Sequence, residues 1–425
     1  MPDTDDNQKI FLGRQPILDR DQKLLAYELL FSSGNITGDE PVDGETKAAV
    51  ETPSNESANH GDIPSIDDTL GDYRGFIKVD HDFLFSELIE ELPRHLVVLE
   101  ICENLEQTPE VFARWQHLRE LGFSLAIDEH LQTMATYRPL LALVEIIKVN
   151  IAQLDDRQLA LVVQRLKPFA KKLLAVEVET NEQMELCRFL GFDLFQGYYF
   201  IKPQLIDGKK LNPSQLALMR LLGQLMEDAD TSVVERTFKQ EPGLSVNLLR
   251  LTNSAAGGLS TKISSLRHAI AILGRRQLLR WIQLLLYTNP KDHTASSNPL
   301  LQLAATRGRL MELLADRLRA KNRELLDHAF LVGILSLMPT LLGIPMEEIL
   351  TQLPVARRVT QALNDYSGPL GELLLLVEAT EQTDPLVAEE MLHTLPTLHA
   401  LNAQFVGNCI AQAMAWANSL GQEID

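Results

Sequence analysis

The sequence predicts two structural classes in tandem, an eight-stranded α/β barrel followed by an all-helical region. Three observations carry that expectation. Short runs rich in β-branched and apolar residues alternate with helical stretches up to about residue 203, the pattern of an α/β architecture. From Asn212 onward apolar residues recur with the helical period almost throughout, and no convincing strand is found. The chain has 425 residues, a length that calls for more than one domain. The expected domains are 1–205 and 206–425.

Eight runs read as strands: 11–18 (FLGRQPIL), 24–31 (LLAYELLF), 75–80 (GFIKVD), 96–101 (LVVLEI), 124–128 (SLAID), 145–150 (EIIKVN), 173–179 (LLAVEVE) and 193–200 (DLFQGYYF). Helices between parallel strands suggest a barrel. Residues 19–23 are too few to hold a crossover helix, so the first two strands must form an antiparallel hairpin. Thr108 before Pro109 is an N-cap with proline at the first helical position, and Thr180 with Gln183 has capping-box spacing. Residues 39–72 hold ten acidic residues and one basic residue, too polar to fold alone, so an insertion over about 37–74 is expected to be a loop or disordered. Asn212-Pro213 opens the helical region, and Pro242-Gly243, Gly274, Pro339, Pro354 and Gly368-Pro369 cut it into short helices. Residues 329–346 are uncharged, but Pro339 interrupts them before membrane-spanning length, so a buried helix ending near Met338 is expected.

Lys plus Arg number 39 against 58 Asp plus Glu, a net charge of −19, which disfavours broad binding to nucleic acid or anionic membranes. No direct nucleic-acid binding is expected. Cys102, Cys187 and Cys409 lie far apart without CxxC spacing, giving neither a disulfide framework nor a zinc pair. The acidic start, MPDTDDNQKIF, lacks the basic region and apolar core of a secretory signal, so a cytoplasmic location is expected.

Barrel chemistry sits at the C-terminal ends of the strands, and several strands here end in charge. Glu28 lies in the second, Glu100 in the fourth, Asp128 with Glu129 at the end of the fifth, Lys148 in the sixth, Glu179 in the seventh and Gln196 in the eighth. Carboxylates converging on one rim are what a hard divalent cation requires, and also what ordinary rim salt bridges are made of. Spacing leaves both readings open.

At these residues the first half resembles the EAL domain, the family that hydrolyses cyclic di-GMP with two metal ions. The resemblance runs from about Phe11 to Pro203: Gln15-Pro16-Ile17, YELL at Tyr27 to Leu30, LEICE at Leu99 to Glu103, AID at Ala126 to Asp128, IKVN at Ile147 to Asn150, VET at Val178 to Thr180 and QGYYFIKP at Gln196 to Pro203. It implies an EAL-type (β/α)8 TIM-like barrel, with Glu28, Glu100 and Asp128 as vestigial metal carboxylates. It likewise implies vestigial catalytic roles for Lys148 and Glu179 and vestigial nucleotide contacts for Gln15 and Gln196. Several positions depart from the family pattern. The phosphate-contacting arginine falls on Ser32, the metal-binding asparagine on Lys78, the second aspartate of DDFGTG on Glu129 and its glycine-rich remainder on His130 to Thr133. The aspartate of IKID is Asn150, and the first glutamate of AEGVET is Val176. An ammonium has no lone pair for a metal, so a degenerate barrel without hydrolysis and without a cofactor is expected, with Mg²⁺ or Mn²⁺ implied only if activity persists.

The second half resembles the HDOD domain, a relative of HD phosphohydrolases, through EPGLSVNLLRLTNSA at Glu241 to Ala255, TKISSLRHAIAILGRRQLLRW at Thr261 to Trp281, and AFLVGILSLM. Where the His-Asp metal pair would stand, the chain has Ser336-Leu337. His268, His328, His393 and His399 read as structural or exposed. Arg267, Arg275, Arg276 and Arg280 form a basic face with two open readings, intramolecular salt bridging or docking of an acidic partner. The order EAL then HDOD matches the EAL–HDOD class of bacterial signalling proteins. That resemblance implies a non-catalytic regulator contacting signalling proteins in a cyclic di-GMP-linked pathway; a cyclic di-GMP receptor and a residual phosphodiesterase are the alternatives.

Overall fold

The computed structural model describes residues 9–33, 65–102, 105, 108–128, 138–203, 211–255, 263, 265–288, 298–318, 322–382 and 386–424. Residues 39–64 of the acidic stretch, Glu129, His130 to Thr133 and the Ser32 side chain lie outside the described part.

Eight strands close into a barrel in chain order: β1 (Lys9–Asp19), β2 (Leu24–Ser33), β3 (Arg74–Val79), β4 (Val97–Ile101), β5 (Ser124–Asp128), β6 (Ile146–Asn150), β7 (Lys172–Val176) and β8 (Leu194–Gln196). β1 runs antiparallel to both β2 and β8, and every other neighbouring pair is parallel. The expected hairpin is therefore present. Its turn is held by the Asp19 carboxylate, which accepts the backbone N–H groups of Asp21 at 2.8 Å and Lys23 at 2.9 Å.

Among the described residues, six α-helices belong to the same stretch: α1 (Ile66–Leu70), α2 (His81–Phe85), α3 (Leu88–Glu91), α4 (Pro109–Glu120), α5 (Asp156–Leu166) and α6 (Asn181–Leu190). α4 starts on the Thr108 cap and α6 on the Thr180–Gln183 capping box, as the sequence indicates. α1 corrects the loop expected up to residue 74. Ser65 and Asp68 close a capping box there, and Leu70 is fully buried, so the end of the acidic segment is ordered by its own cap and one apolar anchor.

Side chains alternate between the two faces of each strand, giving the barrel two cores. Ile17, Ala26, Phe76, Val98, Ala126, Ile146, Leu174 and Leu194 fill the interior, one from each strand. The opposite faces, among them Ile77, Leu99, Ile127 and Val149, join helix residues such as Trp115, Leu118 and Met184 in a larger outer core.

The remainder is helical: α7 (Pro213–Met226), α8 (Thr231–Gln240), α9 (Pro242–Ala255), α10 (Leu266–Leu285), α11 (Pro299–Leu318), α12 (Arg323–Leu335), α13 (Met338–Leu342), α14 (Met346–Thr351), α15 (Arg357–Asp365), α16 (Gly368–Ala379), α17 (Leu386–Thr394) and α18 (Ala403–Ile424). Gly274 kinks α10 through a left-handed φ of 74°, a conformation that costs glycine nothing. α12 stops at Leu335, three residues before the expected end, because the chain turns at Ser336-Leu337 and Pro339 sits in the first turn of α13. Arg323–Leu342 has the length and apolarity of a membrane span, yet Phe330, Val332, Ile334 and Leu335 are buried within the protein.

The chain divides into two compact units, one of Met1–Lys202 with Leu376–Ala415, the other of Pro203–Leu375 with Trp416–Asp425. Against the expected domains 1–205 and 206–425, the first boundary lies close by. Residues 376–415 group with the barrel instead of the helical unit.

Candidate functional site

Advancing two residues from the apolar layer toward the C-terminal ends of the parallel strands brings up a ring with one member per strand. It consists of Glu28, Lys78, Glu100, Asp128, Lys148, Val176 and Gln196, with Gln15 contributed by antiparallel β1. Gln15, Glu28, Glu100, Lys148 and Gln196 are buried. Buried charge must be paired and hydrogen-bonded, and here it is. Lys148 Nζ donates to Glu28 Oε2 at 3.0 Å and to both Glu100 oxygens at 2.8 Å. Gln196 Nε2 donates to Gln15 Oε1 at 2.6 Å and to Glu28 Oε2 at 2.5 Å. Lys78 Nζ, on a side chain that is 47% exposed, stands 3.1 Å from Glu28 Oε1. Asp128 lies opposite Lys148 in the β5–β6 register.

Two carboxylates sharing one ammonium titrate as a unit, and their environments push them apart. Burial acts to raise Glu28, but Lys148, Lys78 and the Gln196 hydrogen bond outweigh it and hold Glu28 well below the usual carboxylate range. Burial, reinforced by the Glu28 charge, pushes Glu100 up to about 7 despite Lys148. Burial works against the Lys148 charge, but the surrounding carboxylates Glu100, Glu28 and Asp128 more than offset it and keep the ammonium charged. Glu28 raises Lys78 in the same way.

The residues of the ring do not fit a pair of divalent cations. Glu28 and Glu100 are engaged by ammonium groups, which offer no lone pair, and Val176 offers none either. Among the described residues, no three His, Cys, Asp or Glu side chains gather as a metal site.

Glu179 stands apart from the ring, which corrects its expected place in the seventh strand. β7 ends at Val176, Glu177 takes a left-handed φ of 63°, and the exposed Glu179 pairs with Lys202 at 3.0 Å. β8 likewise ends at Gln196 instead of Phe200. Beyond it the Val178 N–H donates to the Gln196 carbonyl and the Tyr199 N–H to the Val178 carbonyl, so the two strand ends cross through turns.

In the helical unit, Ser336 accepts a hydrogen bond from Arg307 Nη1 at 2.9 Å and donates to the Gly333 carbonyl at 2.8 Å. The arginines expected to form a basic face all have partners within the chain. Arg267 pairs with Glu235 at 3.2 Å, Arg275 with Asp228 at 3.6 Å, Arg276 with Asp327 at 2.6 Å, and Arg280 with Glu312. Cys102, Cys187 and Cys409 are free thiols.

The model of the EAL domain matches residues 78–203, and the model of the HDOD domain matches residues 211–347. The Vibrio cholerae serotype O1 protein named cyclic di-GMP phosphodiesterase CdgJ is 31% identical over 420 residues, covering 98% of this chain and 93% of its own. The chain belongs to the EAL–HDOD family. The Bacillus subtilis uncharacterized protein YuxH is 28% identical over 419 residues, 97% of this chain and 99% of its own. Among solved structures, the Bacillus subtilis YkuI protein, which has an EAL domain and was crystallised with substrate c-di-GMP and calcium, is 20% identical and covers 61% of this chain and 70% of its own at a TM-score of 0.32. A standalone EAL protein from Vibrio cholerae O395 in a c-di-GMP-bound form is 22% identical, covering 47% and 93% at a TM-score of 0.33.

Six residues that the sequence resemblance singles out, Gln15, Glu28, Glu100, Asp128, Lys148 and Gln196, stand together in this ring, with Lys78 from β3 beside Glu28. Reading the sequence singles out Lys78 as a departure from the EAL pattern but not as a partner of Glu28. Two residues flanking the ring, Arg14 just before Gln15-Pro16-Ile17 and Tyr198 within QGYYFIKP, carry no sequence signal of the contacts they make.

Proposed function

We propose that this EAL–HDOD member is a regulator in cyclic di-GMP-linked signalling that acts through contacts with other signalling proteins and does not hydrolyse the dinucleotide. The observation carrying this reading is Lys78 at 3.1 Å from Glu28, a carboxylate that Lys148 already holds from the other side. Two-metal hydrolysis needs cations about 4 Å apart to activate water and stabilise the developing charge. Two ammonium groups at the same carboxylate repel such cations and withhold the ligand from them. In this reading the barrel is a scaffold and the helical unit supplies docking surface. The arginines Arg267, Arg275, Arg276 and Arg280 engage an acidic partner only by exchanging their present carboxylates for the partner's.

The test is direct. Purified full-length protein is incubated with cyclic di-GMP and Mg²⁺ or Mn²⁺, and the linear dinucleotide is followed. No turnover above buffer is expected; turnover that disappears in Glu28→Ala overturns the reading. A residual phosphodiesterase is the second reading, favoured by the name of the Vibrio cholerae relative and by retention of Glu28, Glu100, Asp128 and Lys148. A non-catalytic receptor would instead show saturable heat on titration with cyclic di-GMP, with or without Mg²⁺.

A further inference from the structure

The hairpin that carries Gln15 and Glu28 also meets residues from far along the chain, at Gly13 on the same strand face as Gln15 and at Arg14 on the opposite face. Leu376–Ala415 and the barrel form one compact unit, and the turn closing α16, Thr380-Glu381, meets β1 and the end of β8. A Cβ placed on Gly13 would fall on the carbonyl oxygen of Thr380, so this backbone-to-backbone approach requires glycine there. The Tyr198 hydroxyl donates to the Glu381 carbonyl. Arg14, buried beside Gly13, lies 4.1 Å over the Tyr27 ring and within the field of Glu381.

Strand geometry ties these contacts to the ring. Gln15 pairs with Glu28 across the hairpin, while their neighbours Arg14 and Tyr27 point to the opposite face. Gln196, which joins Gln15 and Glu28, is two residues from Tyr198. Any shift of β1 or β8 that rearranges the inner trio therefore moves the surface that Thr380-Glu381 grips. α16 is divided between the units at Leu375 and Leu376, and the turn follows directly on the part that groups with the barrel.

We propose that Thr380-Glu381 is a latch coupling the inner ring to the C-terminal helices: rearranging Gln15, Glu28 and Gln196 loosens it, and loosening it frees the ring. This coupling goes beyond the proposed function and holds whether or not the barrel turns over cyclic di-GMP. Thermodynamic coupling is reciprocal, so it is testable from either side.

The experiment is hydrogen exchange on the full-length protein, read at the amides of Val377 to Glu381, with those of Leu221 and Leu222 as the reference. Tyr198→Phe removes one hydroxyl and is expected to speed exchange of the latch about fivefold, the loss of one net hydrogen bond. Gly13→Val, which sets a side chain against Thr380, is expected to do more. Gln15→Met removes the acceptor of Gln196 in the ring and none of the latch contacts named above, and it should speed latch exchange as well. If Tyr198→Phe and Gly13→Val loosen the latch and Gln15→Met does not, the contact is structural and the coupling is overturned. If Tyr198→Phe leaves the latch unchanged, the contact itself is refuted, whether or not Gly13→Val folds.

Discussion

Each compact unit has its own cluster of opposed charges, and the two are built differently. In the barrel, Lys148 and Lys78 face Glu28, Glu100 and Asp128, side chains brought from five strands into a largely water-free ring. In the helical unit, Arg280, Arg276 and Arg309 surround Glu312, and Arg276 also pairs with Asp327. Arg276 is half-exposed there, and Arg280 also lies 4.5 Å over the Phe330 ring. Guanidinium groups are planar, weakly hydrated and suited to several partners at once, whereas an ammonium is a strongly hydrated point charge that is costly to bury. The helical cluster is an economical way to tie α10, α11 and α12 together. The barrel cluster is an expensive one, because its ammonium and carboxylates are taken largely out of water.

The largest effect separating the two clusters comes from removing the buried ammonium. Lys148→Met takes the buried ammonium from Glu100 and leaves Glu28 with Lys78 alone, and urea denaturation should show a loss of about 3–5 kcal/mol. In the helical unit, Glu312→Gln leaves the arginines closer to solvent, and the loss should be smaller, about 1–2 kcal/mol.

A pH series sharpens the contrast. Glu100, raised to about 7 in the folded chain, holds a proton that the unfolded chain releases near 4.5, so its contribution falls as pH rises between those values and is flat above. Glu28, lowered by folding, contributes above its unfolded value and loses that contribution as pH falls below about 4.5. Together they give the ring a stability maximum near pH 5. Glu100→Gln should flatten the decline toward neutral pH, as read from denaturation midpoints across the series. A decline that survives this substitution would place its origin outside the ring.

The smallest expected effect leaves the ring charges in place. Glu177→Gly relieves a left-handed conformation just past β7 and should stabilise the protein by about 1 kcal/mol, visible as a higher Tm.

The ring was largely legible in the sequence because a barrel strand repeats every two residues. Once a strand is located, its inward face and its C-terminal end follow, which is how Glu28, Glu100, Asp128, Lys148 and Gln196 could be named. Glu179 was misplaced for a local reason: Glu177 turns the chain out of the strand, and a non-glycine residue in that conformation gives no warning in composition or periodicity. α1 was missed although Ser65 and Asp68 have capping-box spacing, because the acidic composition around them dominated the reading. The grouping of Leu376–Ala415 with the barrel had no local signature at all. It rests on meetings such as Gly13 with Thr380, whose partners lie hundreds of residues apart.

That grouping also bears on synthesis. The unit containing the barrel is interrupted after Lys202 and resumes only at Leu376. At roughly 5–20 residues per second, a ribosome needs on the order of ten to forty seconds to pass from the end of the barrel strands to Ala415. Throughout that interval β1, with Arg14 and the bare backbone of Gly13, waits for its Thr380-Glu381 contacts. The strands emerge early, but the unit they found is among the last parts of the nascent chain to be completed.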